Sequence, residues 1–438
     1  MIIPEPIHFG GLPAAGRAGR YGLAVDLGTT TIAVYLCDLV AGKVAGSIAL
    51  KNPQAMFGDD VISRISFVAE KPENLIRLQK MAVRAIDWST AAICRSAHIN
   101  PAQINSAVVV GNSIMIHLFT GVNPSSMGFF PYTPMFVEEK TFPARAVGLH
   151  FNPSADIFTL PLISGFLGSD IIAAALATGM DKAADGTMLA DIGTNGEVML
   201  RSKNGLLATS CATGPAFEGA TIRHGMQAVS GAIDAVTIDR RSGSVTCSVI
   251  NTSEACCLPA GICGSGVVSA VAELYRAGLL SGNGRLNSNS GSPLISCDQT
   301  GVMVFELVAA DKSQTGQAIT LTQNDIRSVQ LAKGALAAGM KMLCASAGLT
   351  VPQKIQVAGA FGNFIDKKAA LTIGMLPDLP EECIIMTGNS AGAGAVLVLF
   401  NPELRNKARE LARTAIVLDL AAQPEFQEVF LNSLSFPA

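Results

Sequence analysis

Apolar positions along this chain switch between a period of two and a period near 3.6, the spacings of half-buried strands and amphipathic helices. Two segments carry the sharpest pattern. Tyr21-Gly-Leu-Ala-Val-Asp26-Leu-Gly28-Thr29-Thr30-Thr31 ends one apolar run and opens a second, Ile32 to Leu36. Met188-Leu-Ala-Asp191-Ile-Gly193-Thr194-Asn195-Gly196-Glu197 does the same and continues as Val198-Met-Leu200. Each reads as a strand ending in a carboxylate, a tight glycine–threonine turn and a second strand. The copies lie 165 positions apart, a distance that suits doubled lobes and is far too long for a stacked repeat. One such turn could be a plain hairpin; two in matched apolar settings call for a shared chemistry.

The same spacing predicts helices over Val61 to Ala69, Glu73 to Ser96 and Ile114 to Thr120. An Ala-rich helix closes the stretch Leu162 to Met180 after the glycines Gly165 and Gly168, and links the first lobe to the second. Further helices are expected from Gly261-Ile-Cys-Gly-Ser-Gly266 to Gly278, over Ile326 to Ala347, over Ala391 to Phe400, and from Asn401 to about Leu411. Thr322 and Asp325 form a near capping box before the longest of these. Strands are expected at Ala107 to Gly111, from Leu206, within Ala232 to Cys257, and at Ile355 to Ala360. Asn52 to Asp60, Phe129 to Phe136 and residues 281–297 read as loops. Alternating strands and helices make the fold class α/β. The expected division is an N-terminal extension 1–20, a first lobe 21–176 plus 390–438, and a second lobe 177–389.

Composition narrows the picture. The chain has 438 residues, 49% apolar and only 15% charged, with 43 glycines, which suits a globular protein of more than one lobe. Net charge is −3 with no basic block, so neither nucleic acid nor an anionic membrane surface is indicated. No uncharged apolar run reaches the length of a membrane span, and no signal peptide is visible; a cytoplasmic protein is expected. The ten cysteines include no C-x-x-C pair and read as reduced, mostly buried thiols.

The two hairpins carry the candidate chemistry. Gly28, Gly193 and Gly196 let backbone N–H groups approach phosphates, and Thr29, Thr30, Thr31, Thr194 and Asn195 surround them with polar side chains. Asp26 and Asp191 end their strands where they can hold the waters of a Mg²⁺ that offsets a triphosphate, and one of them can polarise an attacking water. They are both the candidate metal ligands and the candidate catalytic pair. A third element, Val357-Ala-Gly359-Ala360-Phe361-Gly362-Asn363, offers small residues on which a purine and ribose can lie. Gly264 begins a helix and is placed in the same cleft. Glu197 and Glu218 lie near the second hairpin and could orient metal-bound water. Arg223-His224 is a candidate phosphate or partner contact, and His117, in an apolar helix, reads as a satisfied core histidine.

The order of these elements resembles the sugar kinase, Hsp70 and actin superfamily, a two-lobed ATPase fold with its nucleotide cleft between the lobes. Several stretches resemble more closely the C-terminal ATPase domain of the reductive activators of corrinoid-dependent enzymes. They are Val25 to Thr31, Asn52-Pro-Gln, Gly58-Asp-Asp-Val-Ile-Ser-Arg-Ile65, Gly111-Asn-Ser, Pro131-Tyr-Thr-Pro134, Ala190 to Glu197, Gly214-Pro-Ala-Phe-Glu-Gly219, Gly264-Ser-Gly266 and Val357 to Gly362. The resemblance implies ATP and Mg²⁺ as cofactors, a corrinoid protein as partner, and reduction of Co(II) to Co(I) coupled to ATP. In that family an N-terminal [2Fe–2S] domain delivers the electron. Only about 20 residues precede the first hairpin here, and no C-x₄-C-x₂-C spacing occurs. No iron–sulfur cluster is therefore expected in this chain: either a separate low-potential donor of ferredoxin type supplies the electron, or the chain is a fragment, or it does something other than reduction.

Cys211-Ala-Thr-Gly-Pro also resembles, faintly, the cysteine loop of the dimeric activators of 2-hydroxyacyl-CoA dehydratases, which share a [4Fe–4S] cluster between subunits. A bridging cluster on Cys211 and Cys263 is the minority reading, and a homodimer is expected. Two other functions stay open: a small-molecule kinase of the same fold, and a nucleotide-dependent binding or chaperone-like module with negligible turnover.

Overall fold

The computed structural model describes residues 20–251, 257–359 and 364–437. The first lobe is built on β1 (Tyr21–Leu27), β2 (Thr31–Asp38), β3 (Lys43–Lys51), β4 (Ile104–Val110), β5 (Lys140–Pro143) and β6 (Asp156–Thr159), in the order β3-β2-β1-β4-β6-β5. β1, β2 and β3 are antiparallel, and β4 and β6 continue the sheet in parallel with β1. Helices Val61–Glu70, Pro72–Ser96 and Ser113–Thr120 cover one face. They bury Leu23, Val25, Leu27, Ile86, Ile116 and Phe119 together.

The second lobe begins with β7 (Thr187–Ile192), β8 (Gly196–Ser202) and β9 (Gly205–Cys211). β10 (Ala232–Ile238), β11 (Val245–Val249) and β12 (Gly261–Ile262) form a small sheet, and β13 (Ile295–Cys297), β14 (Met303–Val308) and β15 (Ile319–Thr322) another. β16 (Lys354–Ala358), β17 (Ile384–Gly388) and β18 (Ile416–Val417) complete the main sheet in the order β17-β16-β7-β8-β9-β18. Three antiparallel strands followed by two parallel ones repeat the first lobe, so β1-β2-β3-β4-β6 corresponds to β7-β8-β9-β16-β17. The duplication seen in the hairpins therefore extends over five strands of each sheet.

Helices Ser169–Thr178 and Ser390–Phe400 follow the fifth strand of each repeat and fill the space between the sheets. Their alanines pack with Ala24, Ala33 and Val108 of one sheet and Leu189, Met199 and Ala208 of the other. Small side chains allow the helices to approach closely, and most residues on them are buried because apolar sheet lies on both sides. This apolar slab fixes how the two hairpins face each other.

Most expected elements are present, and the capping box is complete: Asp325 N–H donates to Thr322 Oγ1 (3.0 Å) and Thr322 N–H to Asp325 Oδ2 (2.8 Å). The expected domain division, which places residues 390–438 in the first lobe, meets contacts of a different kind at the C-terminus. The helix Ser390–Phe400 does pack on β1 and β4, but β18 adds in parallel to β9, and Thr209 Oγ1 donates to Leu418 O (2.7 Å). Helix Phe426–Leu434 lies along the long helix Gln323–Ser346. Buried Lys333 donates to Ser435 O (2.5 Å) and Gln330 to Leu434 O (3.0 Å). Residues from 416 thus belong to the second lobe, joined by side chains far away in sequence that leave no local signal. Part of 281–297, read as loop, is strand β13 in a sheet with β14 and β15. No helix among the described residues is long and apolar enough to cross a membrane.

Candidate functional site

The first hairpin turns between β1 and β2 at Gly28, Thr29 and Thr30, and the second between β7 and β8 at Gly193, Thr194 and Asn195. Gly28 is required by close approach: a Cβ there would lie 2.4 Å from Thr31 O. Arg64, fully buried, braces the turn by donating to Thr29 O (2.6 Å), Gly58 O (3.0 Å) and Gln54 Oε1 (3.0 Å). Asn52 donates to Gly28 O (2.9 Å), and its backbone N–H to Thr30 O (2.7 Å). Asn52-Pro-Gln and Gly58 to Ile65 thus act as one scaffold behind the first turn.

The hairpins face each other across a cleft of about 230 Å³. Asp26, Gly28, Thr29, Thr30, Thr31, Asp191, Gly193, Thr194, Asn195, Gly264 and Gly359 all line it. Gly196 is not among the lining residues; a Cβ there would lie 3.0 Å from Thr213 Cγ2 and 3.1 Å from Leu336 Cδ1. Gly359 has φ +99°, and a Cβ there would lie 2.5 Å from Ile192 O, so glycine alone lets the end of β16 approach the second hairpin. Ala360, Phe361 and Gly362 lie outside the described residues. Met226, Gln227 and Ala228 also line the cleft, a contribution the sequence did not reveal.

Five carboxylates converge here: Asp26, Asp170, Asp191, Glu197 and Glu218. Burial pushes Asp26 up to about 6, opposed by a hydrogen bond from Asn389. Burial, then the charges of Asp170 and Asp26, pushes Asp191 up to about 8. Asp170 and Glu197 are held above the usual carboxylate range by burial first and by their acidic neighbours next. Burial raises Glu218, while hydrogen bonds from Thr30 and Thr194 and the charge of Arg64 oppose it.

Two asparagines organise the acids in the same way. Asn389 caps helix Ser390–Phe400 through Oδ1, which accepts from Gly392 N–H (2.8 Å), and its Nδ2 donates to Asp26 Oδ2 (2.8 Å). Asn112 caps helix Ser113–Thr120 through Oδ1, accepting from Ile114 N–H (3.1 Å), and its Nδ2 donates to Glu197 Oε1 (3.2 Å). The helix cap fixes the amide orientation, so each NH₂ group is aimed at a carboxylate.

Residues 185–438 match the model described as the C-terminal domain of RACo, the ASKHA domain, and residues 21–183 match the RACo middle region. The chain belongs to the RACo family. It is 34% identical over 424 residues to the corrinoid activation enzyme RamQ of Eubacterium limosum, covering 95% of this chain and 70% of RamQ. It is 24% identical over 452 residues to the [Co(II) methylated amine-specific corrinoid protein] reductase of Methanosarcina barkeri, covering 95% of this chain and 77% of that protein. A solved structure of a reductive activator for a corrinoid, iron–sulfur protein superposes with a TM-score of 0.87 at 35% identity, covering 97% of this chain and 67% of that one. The two-lobed α/β architecture is the ASKHA fold of actin, Hsp70 and the sugar kinases.

Within this RACo-type site, Asp170 is the group that the sequence reading missed. It stands in the first turn of helix Ser169–Thr178. Its signal was slight: it is the one charged residue between Leu160 and Met180. Asn112 belongs to the Gly111-Asn-Ser stretch, which carries no local sign of contact with Glu197, and Asn389 has none of contact with Asp26.

Other expectations change. Arg223 pairs with Asp298 (2.6 Å), and its backbone N–H donates to Asp325 (2.9 Å); neither it nor His224 lines the cleft. Cys211 is 1% exposed within the second-lobe core, a position that speaks against a cluster bridging subunits on Cys211 and Cys263. Cys263, 2% exposed, lines the cleft with its thiol toward Ile233 O and Ser265. His117 is buried, with Nδ1 2.7 Å from Ser113 O and Nε2 accepting from Met135 N–H (3.1 Å), a neutral core imidazole.

Proposed function

We propose that the cleft binds ATP with Mg²⁺ and that ATP-driven movement of the lobes activates a corrinoid protein, allowing its Co(II) to take one electron and become Co(I). The carrying observation is that two matching Asp-x-Gly-Thr hairpins, one from each lobe, meet over a single cleft with Asp26, Asp170 and Asp191 between them. The relatives named for corrinoid activation and Co(II) corrinoid protein reduction support the target.

Among the described residues no group of three or more His, Cys, Asp or Glu is arranged to ligate a metal directly. The donor set still fits Mg²⁺. Asp26, Asp170 and Asp191 are half-buried; desolvation raises all three, and the charge of Asp26 adds to it at Asp170 and those of Asp170 and Asp26 at Asp191, the situation a divalent cation relieves. Mg²⁺ keeps most of its waters and needs few direct carboxylates. Asp26 and Asp191 would hold the hydrated ion, which would offset the charge of the triphosphate. Gly28, Thr29, Thr30 and Thr31 would cradle phosphate from the first lobe, and Gly193, Thr194, Asn195 and Gly196 from the second. Gly264 and Gly359 line the cleft beside them. A carboxylate held by Asn389 or standing at the head of helix Ser169–Thr178 can orient and deprotonate the attacking water.

ATP can shift the partner's equilibrium only if the ATP-bound form favours one of its states. The electron comes from a separate low-potential donor of ferredoxin type. A cytoplasmic homodimer belongs to the same reading.

The test is anaerobic ATP turnover with a Co(II) corrinoid protein and a low-potential reductant, followed through the cobalt spectrum. Co(I) formed only with ATP supports the proposal. ATP turnover with cobalt unchanged sinks corrinoid reduction; stimulation by a metabolite would then indicate a kinase, and binding without turnover a binding module.

A further inference from the structure

The threonines expected to receive phosphate already hold an anion of the protein itself. Thr30 Oγ1 donates to Glu218 Oε2 (2.6 Å), and Thr194 Oγ1 donates to the same oxygen (2.8 Å). The two hydroxyls are 3.0 Å apart. The backbone N–H of Thr194 also bonds the Glu218 carboxylate, and the Arg64 guanidinium contributes a favourable charge. One hydroxyl from each hairpin, a backbone amide of the second turn and a nearby guanidinium form the environment that suits a terminal phosphate. A hydroxyl donates a single hydrogen bond. Phosphate and Glu218 therefore compete for the same donors, and as two anions they repel.

Thr30 belongs to the first lobe, and Thr194 and Glu218 to the second, so this contact also ties the hairpins together. The cleft of about 230 Å³ is smaller than the roughly 300–1,000 Å³ of ordinary ligand pockets. Glu218 ends the short 3-10 turn Pro215–Glu218, flanked by Gly214 at φ +68° and Gly219 at φ +79°. Ala216 and Phe217 anchor this segment in the second-lobe core, and the two glycines at positive φ leave the Glu218 end conformationally free to turn its carboxylate.

We propose that Glu218 is a built-in stand-in for the terminal phosphate of a nucleoside triphosphate: it latches the hairpins together when no nucleotide is bound, and ATP must displace it. The inference rests on the reading that the cleft takes ATP. The latch makes the binding-competent form a minor one. It therefore weakens apparent ATP affinity by the fraction of unlatched protein, about tenfold for a ten-to-one equilibrium. ADP lacks the terminal phosphate and competes less.

The test uses the full chain with E218A and E218Q, measuring ATP and ADP binding by calorimetry and amide exchange at the hairpins. ATP is expected to bind E218A about tenfold more tightly than the parent protein, with a smaller gain for ADP and an intermediate gain in E218Q. Without nucleotide, amides of residues 192–196 should exchange faster in E218A and regain protection with ATP, while β1 and β4 stay protected and report an intact fold. ATP affinity that is unchanged or weaker in E218A, with hydrolysis reduced, overturns the latch and makes Glu218 a group acting on bound nucleotide. If neither protein binds ATP, the nucleotide reading itself fails. Faster exchange in E218A would then show a latch that has nothing to do with phosphate.

Discussion

Asn389 Nδ2 lies 2.8 Å from Asp26 Oδ2, across a separation of 363 residues. The same side chain caps the helix Ser390–Phe400 and lies 3.2 Å from the Tyr35 hydroxyl. A residue near the end of the chain therefore sets the orientation of the carboxylate at the end of its first strand.

Replacing that amide separates capping from positioning. N389D keeps an oxygen for the cap but sets a second carboxylate against Asp26. It is expected to lower ATP turnover about 10–100-fold, in the range seen when a group orienting a metal-site carboxylate is lost. Its cap is kept, so any fall in urea midpoint reports the repulsion between the two carboxylates. N389A should lose turnover and also about 1 kcal/mol of stability from the cap. Turnover in N389D equal to the parent's would remove Asn389 from the site.

Asp170 is expected to matter to turnover more than to binding. D170N keeps the shape of the side chain and its place at the helix start. Loss of a proton acceptor costs on the order of 10²-fold or more in rate, so hydrolysis measured by phosphate release should fall by that order while ATP binding persists. If D170N hydrolyses ATP like the parent, Asp26 or Asp191 must carry the proton alone.

Arg64 offers a stability test. It is fully buried, and it supplies hydrogen bonds to Thr29 O, Gly58 O and Gln54 Oε1. R64M has similar length but no donors, so Thr29 O and Gly58 O lose this donor and Gln54 Oε1 keeps only Asn52. A loss of about 2–4 kcal/mol in urea unfolding is expected. A loss below about 0.5 kcal/mol, the range of an unimportant surface change, would contradict the scaffold described for the first hairpin.

Lys333 gives a pH dependence with a definite sign. Burial lowers its ammonium from 10.5 to about 8. Between those values the unfolded chain binds this proton and the folded chain largely does not. Its contribution to stability therefore rises with pH through that window. Below about 8 the cost of burying the charge is fully present; above 10.5 it is gone. K333M should flatten the rise in urea midpoint from about pH 8 to about pH 10.5, and an unchanged slope would assign the rise to other groups.

The hairpins were legible because their chemistry is local. Asp26, Gly28 and Thr30 lie within five consecutive residues, as do Asp191, Gly193, Thr194 and Asn195, and apolar alternation marks their strands. The capping box at Thr322 and Asp325 was legible for the same reason. Arg64 and Asn52 sat in recognisable stretches, but nothing in those stretches said that both brace one turn.

By itself the sequence determined the doubled strand–turn–strand units, the α/β alternation and the family resemblance, since each is written in short-range spacing of apolar, acidic and glycine positions. Only the tertiary structure decided that Asp170, Asn389 and Asn112 serve the same cleft, that Glu218 bridges Thr30 and Thr194, and that the tail from residue 416 joins the second lobe. These are contacts between helix starts, turns and sheet edges 24 to 363 residues apart. Each is set by packing two sheets against one pair of Ala-rich helices, and that packing leaves its trace in distance, not in sequence.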